Sequence, residues 1–292
     1  MSGDALAQAR ALLNELIEAA RKGAIIPVRL PGQLEAIAQA LEPAAESKDA
    51  STSDGASGDL EAFKTELAGL LSHGFHDLRL PLTSIRGYSD MLGTPSMGEL
   101  NPMQQQFLDT IRTNSRRMES LLTDVSDLSK LHLGSLKVTT KMDMFKNIAL
   151  IVEKANRPLA EELGRTLTFD IPQGLPILNV DAELLGKALN KLVENALRYS
   201  HEGGKVRVAG AADGNNLQII IQDNGIGMSI DDLAKLGTPY FRGDNETVLS
   251  YKGSGLGIPI AYGLIDLLGG TVSVVSQLGS GTTFTVTLPG MT

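Results

Sequence analysis

Leu71, Leu78, Ile85 and Leu92 recur every seven residues, with Phe75 and Leu82 set between them. A stripe of that period runs along one side of a helix and asks for a partner helix, because alone it leaves its apolar side in water. A break follows at residues 93–98, and Asn101-Pro102 reads as the N-cap and first position of a second helix. The second seam is Phe107, Ile111, Met118, Leu121, Val125 and Leu128, with Asn114 as a polar interruption. Two long helices and a short loop predict an antiparallel hairpin over residues 60–133. One hairpin exposes too much apolar surface, so a dimeric four-helix bundle built from two copies is expected.

After Leu133 the pattern changes. Strand-like runs stand at 135–139, 166–170, 205–210, 217–222, 271–276 and 283–288, and helical runs at about 143–162, 182–199 and 255–268. Such a mixture predicts an α+β sandwich over residues 134–292, with helices on one face of a sheet. Upstream, residues 4–22 read as an amphipathic helix, 25–28 as an extended link and 34–41 as a second apolar periodicity. Helix, link, helix over residues 1–42 resembles a HAMP relay module, with a plain helical extension as the alternative. Residues 43–59 have the Ala, Ser, Asp and Gly content of a flexible linker.

Composition narrows the function. A formal net charge of -8 argues against a nucleic-acid partner. With no cysteine, disulfides, thiolate zinc sites and Cys nucleophiles are excluded, which suits a reducing cytoplasm. No signal peptide is evident, and no apolar run approaches the ~20 residues of a membrane helix. The expectation is a cytoplasmic protein, or the cytosolic portion of a membrane sensor.

The most informative string is Ser-His-Gly-Phe-His-Asp-Leu-Arg-Leu-Pro-Leu-Thr-Ser-Ile, residues 72–85. With Leu71 on the seam, His76 falls opposite it and should face solvent. Asp77 can orient the imidazole or take its proton, and a neutral imidazole nitrogen is a competent nucleophile towards phosphorus. Pro81 removes a backbone hydrogen bond and predicts a kink just past the histidine. A His-Asp pair alone is usually an ordinary surface histidine beside an acid. The whole string, however, closely resembles the H-box of the sensor histidine kinases of two-component systems. His73 is a weaker acceptor, since it lacks an adjacent acid and the spaced proline.

Four downstream segments resemble, in order, the boxes of the GHKL (Bergerat) ATPase fold. In Asn190-Lys191-Leu192-Val193-Glu194-Asn195-Ala196-Leu197-Arg198-Tyr199, helical spacing puts Lys191, Asn195 and Arg198 on one side. An Asn carbonyl is a hard ligand suited to Mg²⁺, Arg198 can neutralise phosphate, and Tyr199 can pack on a nucleotide. In 219–228 a buried strand ends at Asp223, followed by Gly225 and Gly227. The resemblance makes Asp223 the acceptor of the adenine amino group, with the glycines admitting backbone to the ring. Pro239-Tyr240-Phe241-Arg242-Gly243 resembles the F-box, where Arg242 reaches towards phosphate or the phosphoacceptor helix. Gly253-Ser254-Gly255-Leu256-Gly257 opens a helix whose backbone N–H groups can face phosphate. It is neither a P-loop nor a dinucleotide fingerprint. The run from Gly279 to Phe284, with Thr283, completes the likeness, and residues 226–254 form the expected nucleotide lid.

The resemblance spans about residues 60–289. It implies ATP and Mg²⁺ as cofactors, Asn195 as metal ligand, and autophosphorylation of His76 assisted by Asp77. Transfer to an aspartate of a response-regulator receiver domain follows, from a homodimer joined through residues 60–133. Two departures qualify it. Leu80 stands where the family commonly has Thr or Asn, a residue held to position water for phosphatase action. Lys191 stands where many members have Asn and other GHKL ATPases a catalytic Glu, with Asn190 one place out of register. The rival readings are a non-catalytic pseudokinase or phosphotransfer adaptor, and a GHKL ATPase or Ser/Thr kinase of the anti-sigma type.

Overall fold

The computed structural model describes Ala11, Glu15 and residues 54–251 and 253–291. Ala11 and Glu15 are helical. The rest of the expected N-terminal elements, and with them the HAMP-like reading of residues 1–42, lies outside the described residues. The chain divides into two compact units between Ser129 and Lys130. Among the described residues no helix is long and apolar enough to cross a membrane.

The first unit is a helical hairpin. Helix α1 (Asp54–Leu92) runs unbroken through Pro81, and α2 spans Pro102–His132. A 3-10 turn at Pro95–Met97 lies in the connection. Helix α1 starts inside the 43–59 stretch that composition assigns to a linker. Once the seam nucleates a helix, each added residue costs little, and propagation overrides the poor helix formers. Asn101 and Gln104 cap α2 reciprocally: Gln104 N–H donates to Asn101 Oδ1 and Asn101 N–H to Gln104 Oε1, both at 2.9 Å.

Within the hairpin, Phe75, Leu82 and Leu122 form a buried cluster flanked by Leu71, Leu78, Met118 and Val125. Truncating a side chain such as Phe75 to Ala would cost about 3–5 kcal/mol. The Arg86–Glu119 pair at 2.6 Å is partly exposed and worth at most about 1 kcal/mol, so apolar contact dominates. Towards the loop the seam opens: Ile85 and Leu92 are each 48% exposed, and Phe107 and Ile111 also face outward.

The second unit is a two-layer α+β sandwich. Its strands are β1 (Lys141–Met144), β2 (Thr166–Asp170), β3 (Ile177–Val180), β4 (Lys205–Asp213), β5 (Asn216–Asp223), β6 (Thr271–Gln277) and β7 (Gly281–Met291). They order as β1-β3-β7-β5-β4-β2, with β6 also on β7. Among the described residues only β2 and β4 pair in parallel. Long helices α3 (Phe145–Glu162), α4 (Ala182–Tyr199) and α7 (Gly257–Leu267) accompany the sheet, and short helices α5 (Ile230–Lys235) and α6 (Glu246–Ser250) lie before α7.

Alternation along the central strands sets the core face. Leu217, Ile219 and Ile221 of β5 and Phe284, Val286 and Leu288 of β7 are buried. They share the core with Ile148 and Val152 of α3, Leu189, Leu192 and Val193 of α4, and Ile260 and Leu264 of α7. The expected strand at 135–139 does not form. Strand β3 pairs with 141–144 on one side and β7 on the other, and residues 135–139 join no ladder, so Val138 stays unpaired despite its β propensity.

Candidate functional site

Helix α4 is fixed at its start by Asp181, which accepts from Glu183 N–H at 3.2 Å and Leu184 N–H at 3.1 Å. Thr139 N–H donates to its other oxygen at 2.9 Å. Leu185, Leu189, Leu192, Val193 and Leu197 are buried, which leaves Lys191, Asn195, Arg198 and Tyr199 half-buried. Asn190 is diverted from this side. Its Oδ1 accepts from Asn156 Nδ2 at 2.7 Å, and Asn156, itself 2% exposed, also donates to Val152 O at 2.8 Å. The amide one place out of register is thus bound into the α3–α4 contact.

Strand β5 ends at Asp223, which is 7% exposed. One carboxylate oxygen, Oδ1, accepts from the N–H of Gly225 at 2.8 Å and of Thr282 at 3.3 Å. Burial pushes this carboxyl above the ordinary aspartate value, while those two N–H groups and the nearby His201 pull it back down. Oδ2 is the oxygen left to meet a donor such as an exocyclic amine.

The two glycines after Asp223 serve the chain's own packing. A Cβ on Gly225 would collide with the Tyr199 carbonyl, where Ile226 N–H also donates at 3.0 Å. Gly227 has φ +62, and a Cβ there would collide with the Gln277 carbonyl. The loop is thereby pressed against the end of α4 and the β6–β7 turn, where Gly279 N–H donates to Ile226 O at 2.7 Å. The family resemblance assigns these glycines to the ring of a nucleotide; the contacts they make here are within the chain.

Thr283 pairs with Gln222 on the face opposite Phe284. Its neighbour Thr282 is the residue at Asp223, and Thr282 Oγ1 lies 2.9 Å from Ser276 Oγ. Ser276 in turn accepts from Met228 N–H at 2.9 Å. Sequence reasoning missed both Ser276 and Thr282. No signal in the sequence marks them: only the β5–β7 register, continued one pair past Gln222–Thr283, sets Thr282 across from Asp223.

The glycine turn meets the F-box segment directly. Tyr240 has φ +64, the one non-glycine in the left-handed region among the described residues, and donates its N–H to Gly255 O at 3.2 Å. Gly255 has φ +72, and a Cβ there would stand 2.7 Å from the Tyr240 carbonyl carbon. Leu256 is fully buried just before α7, while Gly253 meets nothing within 4 Å and is not sterically required. Arg242 does not reach out. Its guanidinium donates to the carbonyls of Val248 and Tyr251, the latter at 2.5 Å, and so ties the lid to itself. Tyr251 meets Tyr199 edge-to-face, with ring centroids 6.0 Å apart.

In the hairpin, His76 is exposed, with a side-chain accessibility of 67%, and its Nδ1 lies 3.5 Å from Asp77 Oδ1. The Pro81 ring removes the N–H that the Asp77 carbonyl would otherwise accept in the helix. His73 Nδ1 sits 2.7 Å from Gly69 O, so it is a donor bonded back to its own helix. Leu80 is 58% exposed.

Two family models match. Residues 67–134 match the His Kinase A (phospho-acceptor) domain, and residues 180–291 match the histidine kinase-, DNA gyrase B- and HSP90-like ATPase domain. The chain belongs to the sensor histidine kinases. Among curated relatives, this histidine kinase chain is 32% identical to an uncharacterised sensor-like histidine kinase of Rhizobium meliloti, over 73% of the chain and 41% of that protein. It is 29% identical to the histidine protein kinase DivJ of Caulobacter vibrioides, over 79% of the chain and 38% of that protein. The chain therefore spans about two fifths of the length of these relatives. Among solved structures, full-length ShkA in complex with AMPPNP superposes with a TM-score of 0.63 at 25% identity, covering 76% of this chain and 46% of ShkA. The Acinetobacter baumannii histidine kinase AdeS shares the fold, with a TM-score of 0.52 at 23% identity over 74% of this chain and 98% of AdeS.

Proposed function

We propose that this chain autophosphorylates on His76 from ATP and passes the phosphoryl group to an aspartate of a receiver domain. The observation that carries the reading is a solvent-facing imidazole beside an acid, in a chain whose second unit ends a buried strand on Asp223 with one carboxylate oxygen spare. AMPPNP in the ShkA structure supports an adenine nucleotide as ligand.

The chain's own groups divide the work. Asp223 Oδ2 accepts the adenine amino group, while Thr282 and Gly225 hold Oδ1 in place. Arg198 and the N-terminus of α7 face phosphate charge. Asp77, whose Oδ1 lies 3.5 Å from Nδ1, favours the Nδ1–H tautomer of His76, which leaves the Nε2 lone pair free. Nε2 forms the bond to the γ-phosphorus as the bond to the bridging oxygen breaks and ADP leaves. The Nδ1 proton then stays on the ring or passes to Asp77. Most of the acceleration comes from positioning and charge neutralisation.

The residues present fit Mg²⁺ only as a phosphate-held ion. Among the described residues no three His, Asp or Glu side chains cluster, while the Asn195 amide supplies one hard oxygen. Mg²⁺ held there with the phosphates would neutralise charge on the leaving group.

The same reading makes the chain a homodimer through residues 60–133, since Ile85, Leu92, Phe107 and Ile111 form an apolar surface that a second hairpin would cover. ATP as donor and the lack of cysteine suit a cytoplasmic location. Leu80 offers no hydrogen bond to a water, so phosphatase activity towards the partner is weak.

The test is transfer. The chain is incubated with γ-labelled ATP, freed of nucleotide, and mixed with receiver domains. Label moving to a receiver aspartate is expected. A chain that binds ATP but never takes up label would sink the proposal.

A further inference from the structure

We infer that Lys191 is a phosphate-binding residue of the nucleotide site, and that its fixed charge lets the site hold a nucleoside triphosphate with reduced dependence on a divalent cation. The inference rests on the nucleotide reading above and adds a specific residue to it.

Lys191 stands one turn before Asn195 on α4, half-buried on the same side. Its Cδ lies 3.8 Å from the point where a Cβ on Gly257 would stand. Gly257 is the first residue of α7, directly after the glycine turn. The aliphatic stem of Lys191 thus packs against the start of that helix, and the ammonium follows two bonds further on. The first backbone N–H groups of α7 have no partner within the helix and already favour an anion there. A lysine beside them adds a whole positive charge.

No neutral amide takes the place of Lys191. Asn190 is held by Asn156 at 2.7 Å in the α3–α4 contact. Leaving that bond would strand a buried donor on Asn156, at a cost of about 1–3 kcal/mol. The helix therefore presents Lys191, Asn195 and Arg198 to the phosphates, with Lys191 the cation nearest the start of α7. An ammonium and a divalent cation neutralise the same oxygens and repel each other, so the lysine takes over part of the cation's contribution.

The experiment is calorimetric binding of ATP and of adenosine to the full chain, with EDTA and with excess Mg²⁺. Wild type is compared with Lys191→Asn and Lys191→Arg. In EDTA, Lys191→Asn should bind ATP roughly tenfold or more weakly than wild type, and Lys191→Arg close to wild type. In Mg²⁺ the gap should narrow to within about threefold, and adenosine affinity should stay unchanged in both variants. Equal ATP affinity of wild type and Lys191→Asn in EDTA overturns the inference. So does a parallel loss for adenosine, which would make Lys191 a packing residue. Failure of wild type to bind either ligand would instead overturn the nucleotide reading itself.

Discussion

The Gly225 N–H donates to Asp223 Oδ1 at 2.8 Å, within a turn too tight for any side chain at Gly225. The carboxylate is thereby aimed before any ligand arrives, at the expense of burying a charge. Its raised pKa carries a definite sign. The folded state holds the proton more tightly than the unfolded chain, so the penalty is absent below the ordinary aspartate value. It grows as pH climbs towards the folded value and is constant above that. Asp223→Asn should therefore melt at or above the parent temperature at neutral pH, with the gap closing as pH falls to about 4. The same variant should lose ATP binding. Paired thermal melts across pH and a nucleotide titration check both halves.

Gly227 and Gly281, like Gly255, are required by space as well as by backbone angle. Gly227 has φ +62 and Gly281 φ +98, and a Cβ on either would run into a carbonyl, of Gln277 and Asp223 respectively. Gly227→Ala or Gly281→Ala should lower the stability of the second unit by more than about 1 kcal/mol and abolish nucleotide binding. Gly253, which meets nothing within 4 Å, is the internal control: Gly253→Ala should fold normally. Urea denaturation of the three variants gives the comparison.

The Asn156–Asn190 bond makes a third prediction. Asn156→Ala removes the donor, leaves the half-buried Asn190 amide oxygen without it, and should cost about 1–3 kcal/mol. The loss should appear in the unfolding transition that nucleotide raises, since α3 and α4 belong to that unit.

Leu80→Thr supplies, in place of an exposed apolar side chain, a hydroxyl that can hold water. The variant should dephosphorylate a phosphorylated receiver domain several-fold faster than wild type while its own labelling from ATP stays within about twofold. The rate of loss of label from the isolated phosphorylated receiver measures it.

Much of this architecture was legible in the residue order, for reasons that differ by element. Helix α4 could be read to its ends because Asp181 caps it and its apolar positions keep one side of a helix. Strand β3 was missed, since Ile177–Val180 is too short for alternation to show and follows Pro176. The strand expected at 135–139 was drawn from propensity, which says nothing about whether a partner is available. Near the site, residue types pointed to the right segments but not always to the right contacts. Thr283 reads as well as Thr282 in the sequence, because side-chain facing depends on the register against β5. Arg242 has the charge of a phosphate ligand, and its residue type carries no hint of the lid carbonyls it holds. Close approach of distant backbone, as at Gly225 and Tyr199, leaves only a glycine in the sequence and no hint of what approaches it.

The most direct test of the central claim is incubation of the full chain with γ-labelled ATP, comparing wild type with His76→Gln and His73→Gln. Acid-labile, base-stable label on wild type and His73→Gln, and none on His76→Gln, is the predicted result. Label that survives acid, or that persists in His76→Gln, would contradict it.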